Sequence, residues 1–138
     1  HLRPTYPIRS ITEIESAIEL MRKNPRWDSL RSVCLSKEIP YKMWHRDNQG
    51  LLSPVIENSG LSEPWSQPHK NLPQVYLQNA SIDLIRPETI QEKDSMSGDI
   101  IGSIEVAHNY DIDDWDDLDC INRLVICFFL KSIPIFRI

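Results

Sequence analysis

Residues 10–35, SITEIESAIELMRKNPRWDSLRSVCL, change hydrophobic period part-way, and that change decides the fold class. Ser10 and Glu13 have the spacing of a capping box, in which two side chains satisfy free amides reciprocally at a helix start. Ile11, Ile14, Ala17, Ile18 and Met21 then recur on one face of a 3.6-residue repeat. Asn24-Pro25 stops this helix, because proline cannot donate the next backbone hydrogen bond. The following run, RSVCL at 31–35, reads as a short buried strand.

The same reading extends outward in both directions. Residues 1–9, HLRPTYPIR, are extended, stiffened by Pro4 and Pro7. Residues 41–45 and 50–55 are the arms of a hairpin around Asp47, Asn48, Gln49 and Gly50. Residues 57–72 are polar and aperiodic, contain Pro64 and Pro68, and read as a loop. Two short strands are expected at 75–78 and 81–85, a second polar stretch at 86–99 and an extended segment at 100–106. A second helix is expected over 114–130, with Trp115, Leu118, Ile121, Val125 and Phe128 on its apolar face. Strands interleaved with two helices make the chain α/β.

Length and composition narrow the function classes. A chain of 138 residues suits one domain, and 41% hydrophobic with 25% charged residues suits a soluble globular protein. The net charge of −5 gives no general attraction to nucleic acid. Cys34, Cys120 and Cys127 form no paired motif, which fits a reducing, cytoplasmic compartment. No signal peptide is expected, since no basic stretch followed by an apolar one opens the chain. The apolar run 124–130 is too short to span a bilayer, so no membrane partner is expected.

Several chemistries lack their residues. Glycine occurs only at 50, 60, 98 and 102, so no Gly-rich phosphate loop is present. His1, His45, His69 and His108 have no metal-ligand spacing. The notable cluster is YDIDDWDDLD at 110–119, with six aspartates between 111 and 119. Asp114, Asp116 and Asp117 suit a helix start, where free amides and the dipole favour carboxylates. Asp111 and Asp113 precede the helix on what reads as the end of a strand, where residues two apart point the same way. Two such carboxylates can hold one Mg²⁺, and helix capping is the competing role. A calcium-binding EF-hand loop does not fit, because Trp115 occupies a ligand position and no mid-loop glycine is present. Arg3 and Arg9 are either held towards a carboxylate or phosphate by the prolines between them, or simply solvated. Lys42, beside Trp44 in an expected strand, either reaches an anion or snorkels to solvent.

These pieces stand in a recognisable order. RPTYPIRSITEIESAI at 3–18 resembles the P-T-S-P-L-R segment and helix of the N-acylneuraminate cytidylyltransferases. EIPYKMW at 38–44 is similar to that family's next strand with its lysine, and NLPQVYLQNASIDLI at 71–85 to its L-P-x-x-Y-x-x-N-G/A stretch. YDIDDWDDLDCIN at 110–122 resembles its D-I-D/N segment before the last helix. The likeness covers most of residues 2–122 and rests on four motifs in order.

The resemblance implies part of a Rossmann-like nucleotide-diphospho-sugar-transferase fold. It also implies a small β-rich excursion, about residues 38–99, that crosses to the partner of a homodimer. The implied reaction is transfer of CMP from CTP to an acidic nine-carbon or related 2-keto acid sugar, with release of pyrophosphate and Mg²⁺ as cofactor. Asp111 and Asp113 match the metal-binding aspartates, and Lys42 the lysine on the sugar or pyrophosphate side. Gln78 and Asn79 fall in the segment lining the sugar pocket, and Arg3, Arg9 and Lys70 complete an acid-sugar site. The sequence departs from the family at Arg3, Tyr6, His69-Lys70 and Ala80. It also lacks the N-terminal strand and Gly/Arg/Ser/Lys loop that hold CTP, so the chain corresponds to the C-terminal portion and is expected to be inactive alone. The alternative is a non-catalytic remnant that keeps a dimerisation hairpin or an acid-sugar pocket.

Overall fold

The computed structural model describes residues 1–132, and its elements form two compact units. The first comprises His1–Cys34 together with the chain from Gln78 onward; the second is Leu35–Leu77. The architecture is mixed α/β.

In the first unit, α1 (Ile11–Lys23) leads to β1 (Ser29–Leu35), the centre of a mixed three-stranded sheet. β1 pairs in parallel with Ile101–Glu105, in register from Ser29 opposite Ile101 to Val33 opposite Glu105. Its other neighbour is the strand Tyr76–Ile85. Ala17 and Met21 of α1 pack on Leu30, Ile82 and Ile104, with Ile14, Leu20, Trp27 and Leu84 around them. The apolar stripe of α1 is thus centred on Ile14, Ala17 and Met21, while Ile11 and Ile18 face solvent. Ser10 stands at the N-cap, but its hydroxyl meets Thr12 Oγ1 instead of a backbone amide, so the expected capping box does not form.

Two other expectations need correction. The segments 75–78 and 81–85 are one continuous strand, because the intervening Asn79 and Ala80 are buried in the sheet. The polar stretch 86–99 contains a short helix, Pro87–Lys93, entered through proline at its first position and closed by Asp94 in the left-handed region (φ 46°). Arg86 just before it donates to the carbonyls of Trp27, Met21 and Asn24 at 2.7, 2.8 and 3.1 Å, capping the C-terminal end of α1. With chain-order labels, these elements are β4 (Tyr76–Ile85), α2 (Pro87–Lys93) and β5 (Ile101–Glu105).

β4 is not left as a bare edge. Asp83 N–H donates to His1 O at 3.1 Å, and Arg9 Nε donates to Ser81 O at 2.8 Å, so the segment 1–9 is fastened to it at both ends. The last helix, α3 (Trp115–Ser132), buries Ile121 and half-buries Leu118 and Val125, but Trp115 is 84% exposed and lies off the apolar face. The Phe128 side chain, and residues 133–138 of the apolar tail 127–138, lie outside the described residues. Among the described residues no helix is long and apolar enough to cross a membrane.

The second unit holds the hairpin. β2 (Trp44–Arg46) pairs antiparallel with β3 (Leu52–Pro54), with Trp44 opposite Pro54 and Arg46 opposite Leu52. Asp47 closes the turn by accepting from Gln49 and Leu51 N–H, each at 2.9 Å. Trp44 packs on Trp65 with ring centroids 5.1 Å apart. Residues 78–99 belong with the first unit, since β4 is bonded to β1.

Candidate functional site

The site grows from the alternation of β4. Ile82 and Leu84 point at α1 and join the core. Ser81 and Asp83, which alternate with them, face the other side of the sheet, and Asn79 precedes them in the strand. All three are buried. Asn79 Oδ1 accepts from Ser32 Oγ at 2.5 Å and from Ser81 N–H at 3.3 Å, while its Nδ2 donates to His108 O at 3.4 Å. Tyr6 OH donates to the same carbonyl at 2.9 Å. Burial pushes the Tyr6 phenol above its ordinary value, which keeps it a donor. One carbonyl thus ties the segment 1–9, β4 and the chain leaving β5 together.

Arg9 serves the same frame. Its guanidinium donates to Ser81 O, Ala80 O and Arg3 O, and lies over the Tyr6 ring at 5.5 Å. Those bonds occupy it with backbone carbonyls and fix the path of the segment carrying Arg3. Arg3 is 44% exposed and points an Nη2 at Asp83 Oδ2 across 3.6 Å. Asp83, with its side chain 8% exposed, also faces Arg31 Nε at 3.9 Å. Both distances are those of ion pairs, longer than hydrogen bonds, and Asp83 Oδ1 has no hydrogen-bond partner among the described residues. Arg31 in turn donates to Gln78 Oε1 at 2.8 Å and to Ser97 Oγ. Asn79 bonds Ser32, Ser81 and the His108 carbonyl, whereas Arg3 and Gln78 are joined through Asp83 and Arg31 in one polar cluster. Arg31 and Asp83 belong to it although the sequence reading passed over them. The usable signal was a full charge inside an apolar strand run, RSVCL and SIDLI, where charges are rarely buried without a partner.

Asp111 and Asp113 lie beyond the sheet. β5 ends at Glu105, and residues 106–113 carry no helix or strand. The expected end of a strand is absent there because this chain is held by other bonds, including Ile112 N–H to Thr5 O at 2.9 Å. Asp111 is half-buried, its own N–H donates to Asn109 Oδ1 at 3.3 Å, and its Oδ1 is buried without a partner among the described residues. Asp113 is exposed, and its N–H donates to Asp117 Oδ2 at 3.0 Å. Among the described residues no three His, Cys, Asp or Glu side chains converge as a metal cage. A Mg²⁺ ion needs no such cage, since it takes one or two carboxylates and fills its remaining positions with water and phosphate oxygens. The partnerless Asp111 oxygen is compatible with that demand.

Lys42 and Lys70 belong to the second unit. Lys42 ends the 3₁₀ turn Pro40–Lys42, just before β2, so it is not a strand residue as expected; Pro40 starts the turn and Met43 N–H closes it onto Pro40 O. Lys70 lies in the 3₁₀ turn His69–Asn71. With His69, Ile39, Leu72 and Val75 it lines an open cleft of about 320 Å³. Lys42 is not among the residues of that cleft.

A scan of protein-family models and a search of curated proteins find no match to this chain.

Proposed function

We propose that this chain is the C-terminal portion of a cytidylyltransferase of the N-acylneuraminate type, which transfers CMP from CTP to a 2-keto acid sugar with release of pyrophosphate. The four ordered motifs support the family. The observation that carries the chemistry is the Asp111 carboxylate oxygen, which is buried with no donor among the described residues. Leaving such an oxygen unpaired is costly, and a cation or water beside it relieves the cost. In this reading Asp111 and Asp113 hold Mg²⁺, which offsets charge on the reacting phosphate oxygens. Arg3 and Gln78 face the acid sugar, and Arg9 and Asn79 hold the segment 1–9 and β4 in place beside them. A cytoplasmic location goes with this reading.

A homodimer fits the second unit. Every residue of β2, and Leu52 and Ser53 of β3, are exposed, and Trp44, Leu51, Leu52 and Val55 are among the exposed large apolar side chains. A two-stranded hairpin is marginal by itself, and burial against a second copy would cover it. The same observation favours the second reading, a non-catalytic module for dimerisation or acid-sugar binding.

The test is a titration of the chain with N-acetylneuraminate and Mg²⁺, followed by amide chemical shifts, alongside a pyrophosphate-release assay with CTP. Saturable binding of the acid sugar with no pyrophosphate release is expected. Absence of binding removes the acid-sugar reading. Pyrophosphate release by the chain alone shows that no missing half is needed.

A further inference from the structure

We infer that Arg3 and Arg31 form a two-guanidinium oxyanion site whose geometry is set by Asp83, and that Arg31 is a recognition residue for the carboxylate of the sugar. The inference rests on the acid-sugar reading for the identity of the ligand, but not for the existence of the site.

The charge balance motivates it. Among the described residues Asp83 is the one carboxylate within ion-pair reach of both guanidiniums, 3.6 Å from Arg3 and 3.9 Å from Arg31. Two positive groups sharing one negative group leave a net charge of about +1 on that surface. Asp83 is too deeply buried, at 8% side-chain exposure, to be reached by solvent cations. Arg3 and Arg31 remain 44% and 27% exposed, so the excess charge faces outward.

Orientation points the same way. Arg31 is held on three sides, by Asp83, by Gln78 Oε1 at 2.8 Å and by Ser97 Oγ. A guanidinium has five N–H donors in a rigid fork, and these partners leave some of them free. Fixing the fork in advance lowers the ordering cost of binding a carboxylate or phosphate. A planar carboxylate matches that fork, and so does a phosphate edge, so the shared chemistry of the ligand is an oxyanion. If instead the cluster only staples β1 to β4, its members should affect stability and nothing else.

The experiment compares the chain with Arg31→Gln and Asp83→Asn variants, using three probes: N-acetylneuraminate, its methyl ester, and inorganic pyrophosphate. Affinities come from chemical-shift titration and melting temperatures from calorimetry. For N-acetylneuraminate, Arg31→Gln should weaken binding about tenfold, the scale of one lost charge-assisted bond. Asp83→Asn should tighten it, because the competing carboxylate is gone, while lowering the melting temperature. The methyl ester should bind weakly to all three proteins. Opposite signs for the two variants are the mark of an oxyanion site, which a structural staple does not produce. Pyrophosphate binding with the same dependence, and no acid-sugar binding, would retain the site and overturn the acid-sugar reading. Unchanged affinities for every anion in Arg31→Gln would overturn the inference, and since Arg31 is partly exposed this variant tests it even if Asp83→Asn does not fold.

Discussion

Asp114 and Asp117 cap each other's backbone. Asp114 Oδ1 accepts from Asp117 N–H at 2.9 Å, and Asp117 Oδ2 accepts from Asp114 N–H at 3.3 Å. Asp116 N–H also donates to Asp114 Oδ1, at 2.9 Å. This is a reciprocal cap built with aspartate at both positions, and it sets the start of α3. Its members are not equivalent. Asp116 supplies an amide and a charge near the dipole, but its carboxylate accepts no bond from this turn. Replacing Asp114 by alanine should cost about 1 kcal/mol. Replacing Asp116 should cost only about 0.3 kcal/mol, the scale of an exposed dipole contact. Urea denaturation, with hydrogen exchange at the Asp116 and Asp117 amides, separates them; equal losses would remove the distinction.

Gly102 lies directly under the Trp27 indole. A Cβ placed there would meet ring atoms at 2.0 to 2.4 Å. A ring is not a flexible chain end, and Trp27 is wedged among the core residues of α1 and β1. Gly102→Ala should therefore displace the ring and lose about 3 kcal/mol or more, the upper range for overpacking. Trp27 fluorescence should shift to the red as the ring meets water. A variant of normal stability and emission would mean that the sheet can give way at β5.

Asp28 predicts how the fold responds to acid. Its Oδ2 accepts from Ile100 N–H at 3.0 Å, Lys93 Nζ at 2.9 Å and Asp99 N–H at 2.8 Å. The Ile100 amide above all, then Lys93 and the Asp99 amide, hold this carboxyl down to about 2 from 3.8. A lowered native value means the unfolded chain binds the proton first on acidification. The stabilisation is therefore fully present above about pH 5, and is lost between pH 4 and pH 2. Asp28→Asn should be less stable than the parent at neutral pH, and the gap should close over that window. A gap that stays constant down to pH 2 would show that Asp28 does not titrate with folding.

Much of the fold was legible because the local signals agreed with the tertiary ones. Ile14, Ala17 and Met21 of the α1 stripe, the Asn24-Pro25 stop and the Asp-Asn-Gln-Gly turn lie where their chemistry puts them, while Ile11 and Ile18 do not join the core. The departures have tertiary causes. Asn79 looked like a break between strands, since asparagine disfavours strands. Ser32 and His108 O satisfy its amide and keep β4 continuous. The Pro87–Lys93 helix was hidden because seven residues give too little periodicity, and Arg86, which ties its start to α1, bonds residues about sixty positions away. Of the site, Arg3 and Gln78 fall in one polar cluster, and Asn79 in the network around the His108 carbonyl. Arg31 and Asp83 were not singled out because a charge in a strand gains meaning only through its cross-strand partner. Lys42 was placed in a strand because β2 begins two residues later and Pro40 turns the chain first.

Asp111 offers the sharpest separation of function from stability. Among the described residues its Oδ1 is buried and unpartnered, which is a burden on the fold. Asn at this position keeps the size and removes the charge. Asp111→Asn should therefore melt no lower than the parent in the absence of divalent ions, whereas Asp114→Ala, which removes a cap, should melt lower. Added Mg²⁺ should raise the melting temperature of the parent, because a ligand that binds only the folded state stabilises it by mass action. That rise should vanish in Asp111→Asn. In Asp113→Asn it should shrink, since Asp113 is exposed and offers one replaceable oxygen among waters. Paramagnetic broadening by Mn²⁺ gives a second readout that needs no activity: amides of 109–113 should broaden in the parent and stay sharp in Asp111→Asn. An equal Mg²⁺-induced rise in the parent and in Asp111→Asn would remove the metal from this carboxylate, and leave the aspartate cluster as a helix cap with one poorly solvated neighbour.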